Sequence, residues 1–233
     1  MQRYFITGTD TDTGKTLIAS ALLARARRDG LTTLGLKPVA SGCENTGAGL
    51  RNADALSLMA HTFPATDYAT INPFAFEPAI APHLAAQRAG CDLGLERLEG
   101  VLAPPLAEPR DLILVEGAGG WRVPLNPEEN LAELASRLDL PVVLVVGLKL
   151  GCLNHAQLTA EAIQADGLEL AGWVGNLLDP GFAVDDTLYQ ANLAHLTRVI
   201  PAPCLGVVPR LTEASPIERA GKAADYLHLP RID

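Results

Sequence analysis

Basic residues are scarce in this chain. Its 18 lysines and arginines stand against 27 aspartates and glutamates, and the formal charge of the 233 residues is -9. A surface of that sign repels phosphodiester backbones and anionic bilayers at long range, so neither nucleic acid nor a membrane is an expected partner. Long apolar runs are missing as well. The opening "MQRYFITG" is broken by Gly8 and Asp10 before it could serve as a secretory segment, and no stretch approaches the thickness of a bilayer. A cytoplasmic location is expected.

Cysteine is sparse and scattered: Cys43, Cys91, Cys152 and Cys204 form no CxxC pair and no cluster with histidine, which excludes the usual signatures of a zinc site or a redox pair. His61, His83, His155, His195 and His228 show no ligand spacing either and read as structural or surface residues. No repeat, low-complexity tract or linker divides the chain, so residues 1–233 are read as one domain.

What is present is alternation. Short apolar runs ("RYFIT", "TTLGLKPV", "DLILVEG", "PVVLVVG", "LAGWVGN", "PCLGVVP") resemble buried strands, and between them lie helical stretches such as "KTLIASALLARARR" and "NHAQLTAEAIQA". In the second of these, Leu158, Ala162 and Ala165 fall on one face. The first ends in Arg25, Arg27 and Arg28, cations at the negative end of its dipole, with Gly30 as a stop. The pattern predicts an α/β fold, a mainly parallel sheet flanked by helices in three layers. The segments Cys43 to Asn52 and Phe63 to Pro82, punctuated by Gly and Pro, read as loops over a site.

The first strand runs into the first helix through "GTDTDTGKT", Gly8 to Thr16. Such a turn aims main-chain N–H groups at one point, where the positive end of the helix adds to them, and a phosphate fits there. Lys15 supplies a point charge to the β- and γ-phosphates and the Thr16 hydroxyl a ligand for Mg²⁺. Five residues, Thr9 to Thr13, separate Gly8 from Gly14, one more than the usual phosphate-loop spacing. Three further stretches stand at strand ends, where open α/β sheets hold ligands: "KPVASG" from Lys37, "VEGAGG" from Val115 and "KLGCLNH" from Lys149. Each is ambiguous alone. Glu116 reads equally as a lone strand-end acid or a metal ligand, Asp54 as complement to the dipole of a helix capped by Asn52, Lys37 as a solvated strand-end lysine, and Asn154 as a helix cap.

Together, "YFITGTDTDTGKT", "KPVASG", "GLRNADAL", "VEGAGGW", "VVGLKLGCLNHA", "LAGWVGN" and "IPAP" resemble the dethiobiotin synthetases, from Tyr4 to about Pro209. That family's phosphate loop has the five-residue spacing. The resemblance implies a phosphate-loop enzyme, a homodimer that converts 7,8-diaminononanoate, CO₂ and ATP into dethiobiotin, ADP and phosphate with Mg²⁺. It places Lys37 at a carbamate intermediate with Thr11, Lys15 and Ser41 nearby, and Thr16, Asp54 and Glu116 at the metal. Nucleotide contacts fall to Asp12, Thr13, Gly14, Lys15, Thr16 and Leu17, to Gly117, Ala118 and Gly119, and to Asn176, Pro209, Arg210 and Leu211 around the base. The substrate carboxylate would meet Asn154 and Tyr189 of the neighbouring subunit, the site lying at the interface. Asp12 stands where the family has glutamate, and the loop before Tyr189 is one residue longer than the family pattern. Two other classes share the predicted sheet: a dimeric switch ATPase of the partition or iron-protein kind, which would want a basic DNA-facing surface or a cysteine pair, and another ligase or kinase acting on a different carboxylate.

Overall fold

The structure, a computed structural model, describes residues 1–230. Its strands are β1 (Gln2–Gly8), β2 (Thr33–Leu36), β3 (Val39–Ala40), β4 (Glu44–Thr46), β5 (Gly49–Arg51), β6 (Phe74–Ala75), β7 (Leu112–Glu116), β8 (Val142–Leu148), β9 (Leu170–Leu177) and β10 (Cys204–Val208). Its helices are α1 (Lys15–Arg28), α2 (Ala53–Ala60), α3 (Tyr68–Ile71), α4 (Pro82–Arg88), α5 (Leu95–Leu106), α6 (Leu131–Arg137), α7 (Cys152–Ala165), α8 (Asp186–Val199) and α9 (Pro216–Ala223). Six strands make one sheet in the order β10-β9-β8-β1-β7-β2, every neighbouring pair parallel.

Both faces of that sheet are covered, which is why its strands read as continuous apolar runs: "LILVE" of β7 and "VVLVVGL" of β8 are buried at every position. Alternate residues of β1 serve opposite layers. Tyr4 and Ile6 join Ile18, Leu22, Leu23 and Leu58 under α1, α2 and α9. Phe5 joins Leu98, Leu134, Ile163 and Leu196 under α5, α6, α7 and α8. Each fully buried leucine of this kind contributes about 1.5–3 kcal/mol relative to exposure. Helix α1 ends as its sequence implies: Gly30 takes φ +81°, Gly30 N–H donates to Arg27 O and Leu31 N–H to Ala26 O, a Schellman closure beside three arginines. Among the described residues no helix is long and apolar enough to cross a membrane.

Three expectations need correction. The segment from Cys43 to Asn52 is not irregular: β4 and β5 form a small antiparallel hairpin through it. Residues between Phe63 and Pro82 contain α3, capped by the Asp67 side chain, and β6, which pairs in parallel with β3. The "TTLGLKPV" run is accordingly split, β2 ending at Leu36 and β3 leaving for this second sheet. In α7, Leu158, Ala162 and Ala165 are not among the buried residues. Its buried residues are Cys152, Ala156, Ala160 and Ile163, and Leu158 is 57% exposed.

Candidate active site

The phosphate loop is built from the end of β1. Thr9 N–H donates to Val145 O of β8, and the chain then turns back on itself: Thr13 Oγ1 and Lys15 Nζ both donate to Asp10 O, at 3.2 and 3.0 Å. Gly14 sits at φ +90°, and a Cβ there would lie 2.2 Å from Asn176 Nδ2, so the position demands glycine on both counts. Asp12 is also left-handed, at φ +57°, a conformation that aspartate tolerates better than most side chains. No side chain caps α1, so the amides of its first turn, at Lys15, Thr16 and Leu17, stay available to an anion. Burial, with the Lys37 charge second, pulls the Lys15 ammonium down to about 8, against the opposing pull of Glu116, Asp54 and Asp12.

At the next strand ends lies a charged cluster of which Lys37 and Glu116 are buried and Asp54 is half-exposed. Glu116 Oε1 accepts from Lys37 Nζ at 2.6 Å and from Thr16 Oγ1 at 2.7 Å, while Asp54 Oδ2 stands 3.3 Å from the same ammonium. Burial opposes the charge on Lys37, yet Glu116 and Asp54 outweigh it and the pKa of the lysine is raised. Its main chain is held too: Lys37 N–H donates to Ile71 O, and Asn72 Nδ2 to Lys37 O at 2.7 Å. Asn52 caps α2 by accepting from the amides of Asp54 and Ala55, and its Nδ2 donates to Ser41 O at 3.4 Å. One side chain thereby ties Asp54 to the Ser41 loop. Asn72 carried no sequence signal, and Asn52 signalled only its cap.

Whether this cluster suits a divalent ion can be judged from Glu116. Its Oε2 is buried without any hydrogen-bond partner, an unmet acceptor beside a second carboxylate and a hydroxyl. Hard oxygen donors of this kind suit Mg²⁺.

Two cavities meet at the cluster. One, of about 310 Å³, is lined by Thr11, Asp12, Gly14, Lys15, Thr16, Asp54, Glu116 and Gly119. The other, of about 780 Å³, shares Thr11, Asp12, Asp54 and Gly119 with it and adds Lys37 and Ser41, with mostly apolar residues beyond. Ala118 lines this second cleft, and Gly117 O accepts from Lys37 Nζ at 3.2 Å. A third space, of about 740 Å³ at the start of α5, is lined by Asp92, Glu96, Glu128 and Glu129 and holds none of the expected site residues.

The remaining expected residues divide. Asn176, the last residue but one of β9, lies under the phosphate loop, its Nδ2 donating to Thr13 O at 2.9 Å. Pro209, Arg210 and Leu211 follow the adjacent β10, where Arg210 Nη1 donates to Leu178 O. Asn154 and Tyr189 are not brought to the cleft of their own chain. Asn154 is exposed in the first turn of α7, which has Gly151 rather than Asn154 at its cap, and Tyr189 packs edge-on against Phe182, with ring centroids 6.2 Å apart.

A family profile described as an AAA domain matches residues 2–218. The ATP-dependent dethiobiotin synthetase BioD of Chromohalobacter salexigens is 67% identical, covering 99% of each chain. Its counterpart from Pseudomonas aeruginosa strain UCBPP-PA14 is 58% identical over 93% of each. Among solved structures, the MinD cell division protein of Aquifex aeolicus superimposes with a TM-score of 0.57 over 99% of this chain and 88% of its own, at 13% identity. At that identity the likeness concerns the fold alone.

Proposed function

This chain belongs to the ATP-dependent dethiobiotin synthetase family, and we propose from that premise that it joins 7,8-diaminononanoate and CO₂ into the cyclic urea of dethiobiotin at the expense of ATP. The observation that carries the reading is the Lys37–Glu116 pair. Glu116 lines the cavity of the phosphate loop and Lys37 lines the larger cleft beside it, so a nucleotide in one and an amine in the other face each other across that pair.

The reaction asks three things of the protein. One amine adds to CO₂ and yields a carbamate, an anion that reverts easily unless a cation and oriented donors favour it; Lys37 supplies the charge, and Thr11 and Ser41 supply hydroxyls. A carbamate oxygen then displaces ADP from the γ-phosphorus, a step of alignment and charge neutralisation served by Lys15 and the first-turn amides of α1. The second amine attacks the carbonyl of the mixed anhydride and expels phosphate, closing the ring. Thr16, Asp54 and Glu116 would hold Mg²⁺, which supplies divalent charge against the phosphate oxygens. Asp12, Thr13 and Gly117 to Gly119 frame the phosphates; Asn176 and the stretch Pro209 to Leu211 frame the base.

We assign the working unit as a homodimer. Leu150, Leu158, Val184 and Leu188 are 91, 57, 84 and 63% exposed on and beside α7 and α8, the helices that carry Asn154 and Tyr189 away from their own cleft. A second copy would cover that apolar face and bring the two polar side chains to the neighbouring site. Four free cysteines suit a reducing cytoplasm.

Purified protein tests the activity directly. Phosphate release from ATP should require both diaminononanoate and bicarbonate, with dethiobiotin appearing by mass. Vigorous hydrolysis unchanged by omission of the diamine would instead favour a switch ATPase.

A further inference from the structure

Past Leu36 the sheet no longer holds the chain that carries Lys37. The register of β2 against β7 ends at the Leu36–Val115 pair, and Pro38, which lacks an N–H, cannot donate to a continued ladder. Lys37 is held instead from outside the sheet, by the segment around α3. Its N–H donates to Ile71 O, and its carbonyl accepts from Asn72 Nδ2 at 2.7 Å. The other end of that side-chain amide, Asn72 Oδ1, accepts from the Tyr68 hydroxyl at 3.0 Å. The same hydroxyl accepts from Asn52 N–H at 2.7 Å.

Asn52 leads to the partner of Lys37. Its Oδ1 accepts from Asp54 N–H at 3.0 Å at the start of α2, and its Nδ2 reaches Ser41 O. One phenol oxygen thus stands between the backbone of the lysine and the beginning of the helix that carries Asp54, whose carboxylate lies 3.3 Å from the ammonium. Both asparagines are buried, and burial holds the Tyr68 phenol above its ordinary pKa of 10.0, so at neutral pH the hydroxyl keeps the proton that it gives to Asn72. The ring is fixed separately. The Arg51 guanidinium lies over it, 4.3 Å from the centroid, and the Asp67 side chain caps α3 just before it.

We propose that Tyr68 is a positioning residue for the reaction above, its hydroxyl setting where the Lys37 ammonium stands relative to Asp54. The inference rests on the dethiobiotin synthetase reading. Tyr68 lines neither of the two cavities that meet at the charged cluster, so its part is geometric. A carbamate oxygen must lie in line with the γ-phosphorus, and a misplacement of about 1 Å in such an arrangement costs up to about a hundredfold in rate. Lys15 and the first-turn amides of α1 are held by other contacts, within the phosphate loop. Loss of the Tyr68 hydroxyl therefore falls on turnover and leaves nucleotide affinity in place.

Full-length Tyr68→Phe removes the hydroxyl and keeps the ring under Arg51. With 7,8-diaminononanoate, bicarbonate and ATP, we expect kcat to fall about tenfold, KM for ATP to change by less than about twofold, and the melting temperature to drop by less than about 5 °C. Arg51→Met loosens the same segment without touching the hydroxyl and should keep kcat within about twofold of the parent. Made in a Lys37→Met background, Tyr68→Phe should cost less than about twofold, since the group it positions is gone. An unchanged kcat, a fall carried by KM for ATP, an equal loss in Arg51→Met, or the same loss with Lys37 absent each overturns the proposal. Should Tyr68→Phe melt too low to assay, Asn72→Ala takes its place, breaking the link at Lys37 O and leaving the phenol: a fall in kcat with KM for ATP held supports the proposal, and a parental kcat sinks it. If the unaltered protein forms no dethiobiotin, the functional reading fails and the role of Tyr68 falls with it; an active parent beside an unaffected Tyr68→Phe fails the proposal alone.

Discussion

Replacing Lys37 by methionine separates its structural burden from its chemical one. The Glu116 side chain is 0% exposed; Oε1 keeps a bond from Thr16 at 2.7 Å, but among the described residues Oε2 has no partner and Lys37 is the only cation within bonding distance. Asp54, with a side chain 46% exposed, keeps access to water and suffers little. Stranding one charge of a buried pair costs about 3–5 kcal/mol, a large part of a typical folding free energy of about 5–15 kcal/mol. The melting temperature should fall by about 10 °C for a chain of this size. Removing the stranded charge as well, with Lys37→Met and Glu116→Gln together, should return most of the loss, and urea melts of the four proteins measure that coupling. In the single variant turnover should fall on the order of 10²–10³-fold, the scale of losing a preorganised charge in a water-poor site. Its ATP dissociation constant by calorimetry should change only severalfold, because Lys15 and the first-turn amides remain. Single and double variants as stable as the parent would show that the pair is effectively solvated. Nucleotide affinity falling in step with turnover would show that Lys37 serves ATP rather than the carbamate.

Leu158→Asp puts a charge in the middle of the exposed face of α7, and sedimentation equilibrium should shift from a dimer to the 24.6 kDa chain with loss of activity; an unchanged, active dimer would place the interface elsewhere. His61 provides a pH test remote from the site: burial, with Arg27 and Arg28 nearby, holds its pKa below the ordinary 6.5, and Nε2 has no partner. The folded protein therefore binds fewer protons there than the unfolded chain, so the contribution present above about pH 6.5 is lost as the pH falls through the folded pKa. Melts between pH 7 and 5 should decline less steeply for His61→Gln than for the parent, and identical slopes would remove His61 from the account.

What was legible in the sequence and what was not follows from distance along the chain. The phosphate loop could be read because its strand, turn and helix are contiguous, and the stop at Gly30 because the Schellman closure lies wholly within the consecutive residues Ala26 to Leu31. Which face of α7 meets the sheet was not legible, because its sequence carries two apolar stripes and periodicity does not say which of them is buried. The Lys37–Glu116 pair spans 79 residues and the Thr16–Glu116 bond spans 100, so no local spacing contains them. Strand register explains both. Leu36 is paired with Val115, which brings Lys37 to the level of Glu116 one position on, and Glu116 is itself paired with Ile6, two residues before the phosphate loop begins. Three strands in the spatial order β1-β7-β2 thus deliver the loop, the acid and the lysine to one level, with the acid in the middle strand between the two cationic arms. A one-residue slip of β2 against β7 would turn Lys37 to the opposite face of the sheet and leave the buried Glu116 without its cation. Register, more than any single motif, is what makes these three strand ends a site.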